Sequence, residues 1–225
     1  MFIQYFQTRI SDLNPMDQTI IVGRISLKWQ NLINQFPLVA ETYHSLRRDN
    51  NDNLIISRQD VFETIDLPTR IIKTLIWGYP RGMQGTANLQ RILEHLDQIV
   101  QRINDYNAGP FTRHRFVEAY RILSEIKGLG PSTLSKILYF CGIHVRQNRA
   151  VIVDTNVLEA FGFLQDFHDA FYESDSAKRY YRQIESINIS ARRLNVTPDQ
   201  IEYFLFELGK QGKRVKTAFL TNYQP

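Results

Sequence analysis

With a single cysteine, Cys141, the chain cannot close a disulfide on itself, nor can it supply the cysteine sets that hold an iron–sulfur cluster or a structural zinc. Neither a metal nor a cofactor is therefore expected. Nowhere do about 18 apolar residues run uninterrupted, so no membrane span is expected. Met1-Phe2-Ile3-Gln4-Tyr5 lacks the basic stretch and apolar run of a secretory signal, which makes the cytoplasm the expected location. Strand-like alternation is scarce, and there is neither a repeat of fixed period nor a low-complexity tract. Charge is close to balanced, with 27 Lys and Arg against 23 Asp and Glu, a net +4 and a pI of about 9.2. That excess leans toward an anionic partner, but many proteins that never meet nucleic acid share it.

What is present is helical periodicity over 225 residues that are 43% hydrophobic, enough for a sizeable core. Leu89, Ile92, Leu93, Leu96, Ile99, Val100 and Ile103 fall on one face and predict a long helix. Shorter stripes recur at Trp29, Leu32, Ile33 and Phe36, at Ile71, Ile72, Leu75 and Ile76, and at Phe116, Tyr120 and Leu123. Ser57 with Asp60 reads as a helix start. Thr197-Pro198-Asp199 opens a last helix through Ile201, Phe204, Leu205 and Leu208, which Gly209 or Gly212 can end. Asp49 to Asn53 and Asn104 to Pro110 read as breaks. The fold class predicted is all-α.

Basic residues gather between Arg113 and Arg149, where seven face only Glu118 and Glu125. The bland reading of such a cluster is a solvated helix face. Within it, Ile126-Lys127-Gly128-Leu129-Gly130 separates one apolar stripe from the next, Leu134, Ile137, Leu138 and Cys141, and so predicts two helices joined by a glycine hairpin. Glycines suit positive φ and close backbone approach. With Pro131 at the first helical position, the amides of Gly130, Ser132 and Thr133 are expected to face outward at a positive helix end, a ready anion site. The alternative is an ordinary turn between helices. Beyond the hairpin, Val151-Ile152-Val153-Asp154-Thr155-Asn156-Val157 interrupts an apolar run with an acid 22 positions after Ser132.

This ordered pair resembles the helix-hairpin-helix DNA glycosylases, whose hairpin has the form Leu-Pro-Gly-Val-Gly and is followed after about twenty residues by Val-Asp-Thr-His or Leu-Asp-Gly-Asn. The match covers about Arg113 to Phe161. The glycine-rich segment Trp77-Gly78-Tyr79-Pro80-Arg81-Gly82-Met83-Gln84-Gly85 is also similar to bacterial proteins described as having an 8-oxoguanine glycosylase fold. The resemblance implies a two-lobed all-α fold with a cleft between residues 57–145 and a second lobe made of 1–56 and 146–225. It implies a monomer whose partner is DNA, gripped largely without reading its sequence. By resemblance Asp154 is the catalytic acid, and Gly128, Leu129 and Gly130 bind the DNA backbone.

Breaking an N-glycosidic bond builds positive charge on the sugar, which a carboxylate such as Asp154 stabilises. The same residue type can instead simply cap the helix after it. Where the family places a lysine that attacks the sugar, this chain has Ser132, as do members that remove mismatched adenine; hydrolysis is therefore expected and lyase activity is doubtful. Lys136, four residues on, is a secondary catalytic candidate against the plainer reading of an exposed lysine. Lys127, Ser132, Thr133 and Arg81 are candidate DNA contacts, and Trp77, Tyr79 and Met83 candidate walls for a flipped base. Against this, Trp77 can belong to the apolar face of Ile72, Leu75 and Ile76. The rival classes are a DNA-binding module without catalysis and a purely structural helical protein.

Overall fold

The computed structural model describes residues 2–23, 26–81, 86–107 and 112–211. The chain order is α1 (Gln7–Ser11), β1 (Thr19–Gly23), α2 (Leu27–Gln35), α3 (Pro37–His44), β2 (Arg47–Arg48), β3 (Leu54–Ser57), α4 (Arg58–Phe62), α5 (Leu67–Gly78), α6 (Thr86–Glu94), α7 (Leu96–Asn107), α8 (Arg113–Ser124), α9 (Pro131–Phe140), β4 (His144–Val145), β5 (Asn148–Arg149), α10 (Thr155–Phe161), α11 (His168–Phe171), α12 (Ser176–Leu194) and α13 (Pro198–Lys210). Helix dominates, as the periodicity predicts. A small antiparallel sheet in the order β1-β3-β2, a ribbon of the two-residue strands β4 and β5, and short 3-10 turns at Phe2–Phe6, Pro15–Asp17 and Gln165–Phe167 are the other regular elements of the described residues. In the sheet, Ile20 pairs with Ile56 and Arg47 with Ile55. Asp49 shapes the turn from β2 to β3 by accepting from the amides of Asn51 and Asn53.

The helix starts match their caps. Ser57 and Asp60 bond reciprocally at the start of α4, and Thr197 and Gln200 do the same for α13 with Pro198 in the first turn. One expectation is corrected: the stripe from Leu89 to Ile103 is not one long helix. The chain breaks at His95, whose ring Nδ1 lies 2.8 Å from the Arg91 carbonyl, so α6 and α7 share the stripe. Their inner residues are buried as the pattern requires. Gly209 does not end the last helix either; it lies inside α13. The break expected from Asn104 to Pro110 is corrected in its first part, since 104–107 form the last turn of α7, while residues 108–110 and Gly212 lie outside the described residues.

Buried apolar side chains form one cluster that runs from Ile3 to Leu208 and draws on nearly every helix. Three helix pairs frame the region around the glycine turn and Asp154: α9 against α5, α8 against α12, and α10 along α13. Among the described residues no helix is long and apolar enough to cross a membrane.

Candidate active site

Between α8 and α9 the chain reverses on two buried anchors, Ile126 and Leu129, with the Leu129 amide donating to the Ile126 carbonyl at 3.0 Å. Gly128 has φ +96°, and a Cβ there would come within 2.5 Å of the Asn88 carbonyl of α6. The fold itself demands this glycine. Gly130 differs: its φ is −69° and nothing lies within 4 Å of where a Cβ would be. A glycine with no neighbour to avoid leaves an open approach to the first turn of α9. The expectation that the Gly130 amide is free is corrected, because it donates to the Gly128 carbonyl at 3.0 Å. The positive end of α9 is therefore carried by Ser132 and Thr133, since Pro131 has no N–H and α9 has no side-chain cap. Lys127 and Pro131 are exposed beside them, while Leu129 is core.

Asp154 comes directly after the buried run Val151 to Val153. Tyr180 Oη donates to the Val151 carbonyl at 2.9 Å, and Ser135 Oγ accepts from the Val153 amide at 3.0 Å. Ser135 belongs to the second turn of α9, so residue 154 enters directly beside the helix that the glycine turn begins. The acid caps α10: Oδ1 accepts from the amides of Asn156 and Val157 at 3.0 and 3.1 Å. Among the described residues Oδ2 takes no hydrogen bond, and the side chain is half-buried. One oxygen thus builds the helix and the other remains available.

Lys136 is not the exposed lysine of the plainer reading; only 5% of it is accessible. Its stem passes over Gly78, where a Cβ would sit 2.8 Å from Lys136 Cδ. Nζ donates to Ser132 Oγ at 2.7 Å and lies 5.4 Å from the centre of the Tyr79 ring. Tyr79 Oη in turn shares a 2.7 Å hydrogen bond with Thr133 Oγ1. Ser132, Thr133, Lys136 and Tyr79 are thereby joined at the start of α9. Trp77 stands apart from them in the core, edge-on to Phe140, with its indole N–H directed at the Gln18 carbonyl. Arg81 is exposed, and Met83 lies outside the described residues.

Three residues of this neighbourhood escaped the sequence reading, and a fourth was read only as a helix end. Ser135 is one. Arg58 and Glu202 are both fully buried and bonded at 2.6 and 3.2 Å, with the guanidinium packed on the rings of Trp77, Tyr139 and Tyr203. Burial pushes the Glu202 carboxyl up to about 7; Arg58 opposes the shift, and the charges of Asp154 and Asp199 add to it. Asp154 therefore lies within electrostatic reach of a buried ion pair. The fourth is Gly209, where a Cβ would overlap the backbone of Asn156. Its lack of a side chain lets α13 lie against the first turn of α10. Glu202, Leu205 and Gly209 share one helical face, so an acid and a glycine at apolar spacing were the legible signals. Arg58 carried no such signal.

Fold and site together define a mostly helical protein in which a glycine turn begins α9 and a carboxylate caps α10, the two helices being joined through the Ser135–Val153 hydrogen bond. Residues 22–206 match the family described as "Putative 8-oxoguanine DNA glycosylase OGG-like protein", and the chain belongs to that family. No curated protein and no solved structure matches it. Among the described residues no group of three or more His, Cys, Asp or Glu is placed to hold a metal.

Proposed function

We propose that the chain is a DNA glycosylase of the helix-hairpin-helix kind, which hydrolyses the bond between deoxyribose and a damaged base, 8-oxoguanine being the first candidate from the family description. The observation that carries the reading is the divided carboxylate of Asp154, with Oδ1 held by two amides and Oδ2 uncommitted beside α9. A carboxylate so fixed stabilises the positive charge that grows on the sugar and orients an incoming water. The open side of Gly130 and the uncapped amides of Ser132 and Thr133 suit a backbone phosphate. Tyr79, half-buried and bonded to Thr133, is an aromatic group placed at these residues for an extruded base. The cleft divides residues 57–145 from 1–56 and 146–225.

A second reading has its own observation. The Lys136 amine reaches Ser132 Oγ, so a lysine four residues further along the helix ends where the side chain of residue 132 ends. In that reading the amine adds to C1′ of the sugar as the base leaves with its bonding electron pair; the nitrogen lone pair then breaks the C1′–O4′ bond, and the proton lost from nitrogen goes to O4′, giving an imine on the opened sugar. Single-turnover release of 8-oxoguanine from a duplex, run with and without borohydride, tests both. Free base without a covalent adduct supports hydrolysis. An adduct that disappears in Lys136→Met supports the amine. No release from this or any other damaged base in a panel, with intact DNA binding, replaces both with a recognition module.

A further inference from the structure

The basic segment does not act as one patch. Lys136 is buried, Arg149 pairs with Asp199, and Lys127 sits at the glycine turn. Arg113 and Arg146 go elsewhere: with His114, Arg121 and Lys178 they line an open groove of about 440 Å³. Arg113 opens α8 and the glycine turn lies past its other end, so the two places are separated by about 18 Å, the length of a twelve-residue helix.

Two features of this groove are costly to the protein alone. It is flanked by the first turns of α8 and α12; α12 is capped by the Asp175 carboxylate, which accepts from the Lys178 amide at 2.9 Å, whereas α8 is capped by the neutral Thr112 and has no acid in its first turn. Arg113, His114 and Arg115 thus place cations at the positive end of the α8 dipole, and Lys178 lies in the first turn of α12. In addition Arg146 has φ +56° in the two-residue turn between β4 and β5, a conformation that glycine or asparagine adopts more cheaply. Neutralisation is partial. Asp175 bonds Arg121 at 2.6 Å, and Glu118 stands 3.8 Å from His114. Arg113 lies 5.0 Å from the centre of the Tyr181 ring, whose hydroxyl donates to Glu185. Among the described residues Arg146 and Lys178 have no ion pair. An anion seated in the groove relieves the conflict at the start of α8 and uses the strained arginine.

We infer that this groove is a second phosphate-binding site, gripping the backbone of a DNA strand one helix length away from the glycine turn. It shares with the proposed function only the premise that the chain meets DNA, and it requires no catalysis. The contact is electrostatic, so it positions the strand without reading bases.

The test compares the wild type with Arg146→Gly, Lys178→Gln and the double variant, using a long labelled duplex titrated across KCl concentrations. Each phosphate neutralised contributes about 0.9 to the slope of log affinity against log salt, so the double variant is expected to lower that slope by about two. Arg146→Gly is expected to keep or raise the melting temperature, because glycine suits the backbone there. Single-turnover base release at saturating protein should match the wild type in all three, so a failed groove and a failed glycosylase reading give different results. Equal slopes overturn the inference, as does the absence of any duplex binding. Thermal stabilisation by inorganic phosphate with an unchanged duplex slope also overturns it, since that marks a small-anion pocket.

Discussion

Replacing Asp154 by asparagine changes the atom on which the mechanism rests and almost nothing else. Asparagine and aspartate are about equal as N-caps, and the Asn oxygen can keep both amide contacts now made by Oδ1. What changes is Oδ2, which becomes an amide nitrogen without charge. Removing that charge also relieves one of the influences that raise the Glu202 carboxyl. Stability is therefore expected to stay within about 0.5 kcal/mol of the wild type. Asp154→Ala loses the cap as well, a cost of about 1 kcal/mol, or about 2–4 °C in melting temperature for a chain of this size. Catalysis should separate the variants differently. Losing a fixed group that meets developing charge costs about 3 kcal/mol, or about two orders of magnitude in rate, and both variants should show it. Single-turnover base release read beside thermal melting makes the comparison. An asparagine variant that melts like the wild type and also releases base at the wild-type rate refutes the role assigned to the carboxylate.

Three further outcomes come from the packing. Gly128→Ala forces positive φ on alanine, at about 1–2 kcal/mol, and drives its methyl into the Asn88 carbonyl; Gly130→Ala meets nothing inside the protein, so chemical denaturation should show the first variant clearly the less stable. Gly209→Ala pushes α13 off the start of α10 and should cost about 3 kcal/mol, the upper end of overpacking effects, with base release falling as the Asp154 cap is disturbed; wild-type melting would show that the contact is loose. The third outcome concerns pH. A carboxyl raised to about 7 holds its proton longer in the folded than in the unfolded chain, so Glu202 withdraws stability as pH climbs from about 4.5 to 7. Asp60, Asp66 and Asp175 are held below their ordinary values by hydrogen bonds from their partners, so their stabilisation is lost as pH falls below about 4. Glu202→Gln should flatten the upper limb of a stability–pH curve and leave the acid limb intact; an unchanged upper limb rejects the assignment.

Much of the fold was readable from residue order, and the misses have physical causes. Caps at Ser57 and Thr197 were legible because capping is a local bargain between residues three apart. The two helices around Gly128 and Gly130 were legible for the same reason. The reading of one long helix failed at His95 because apolar spacing continues across a break when both pieces face the same core. Arg58 and Glu202 are 144 positions apart, so nothing local announces that each burial depends on the other. Lys136 was misjudged because its burial depends on the missing side chain at Gly78, in another helix. Periodicity reports which face is inward; it does not report what a long polar side chain finds there.

Ser135 has a consequence for how the molecule tolerates motion. Its hydroxyl accepts from the Val153 amide and donates to the Ser132 carbonyl at 3.0 Å, with the Val153 carbonyl at 3.3 Å. One small oxygen thereby ties the segment leading to the acid onto the helix that the turn begins. If the turn grips a strand and residue 154 meets the sugar, the spacing between the two is set by this one hydroxyl, and Ser135→Ala would loosen it.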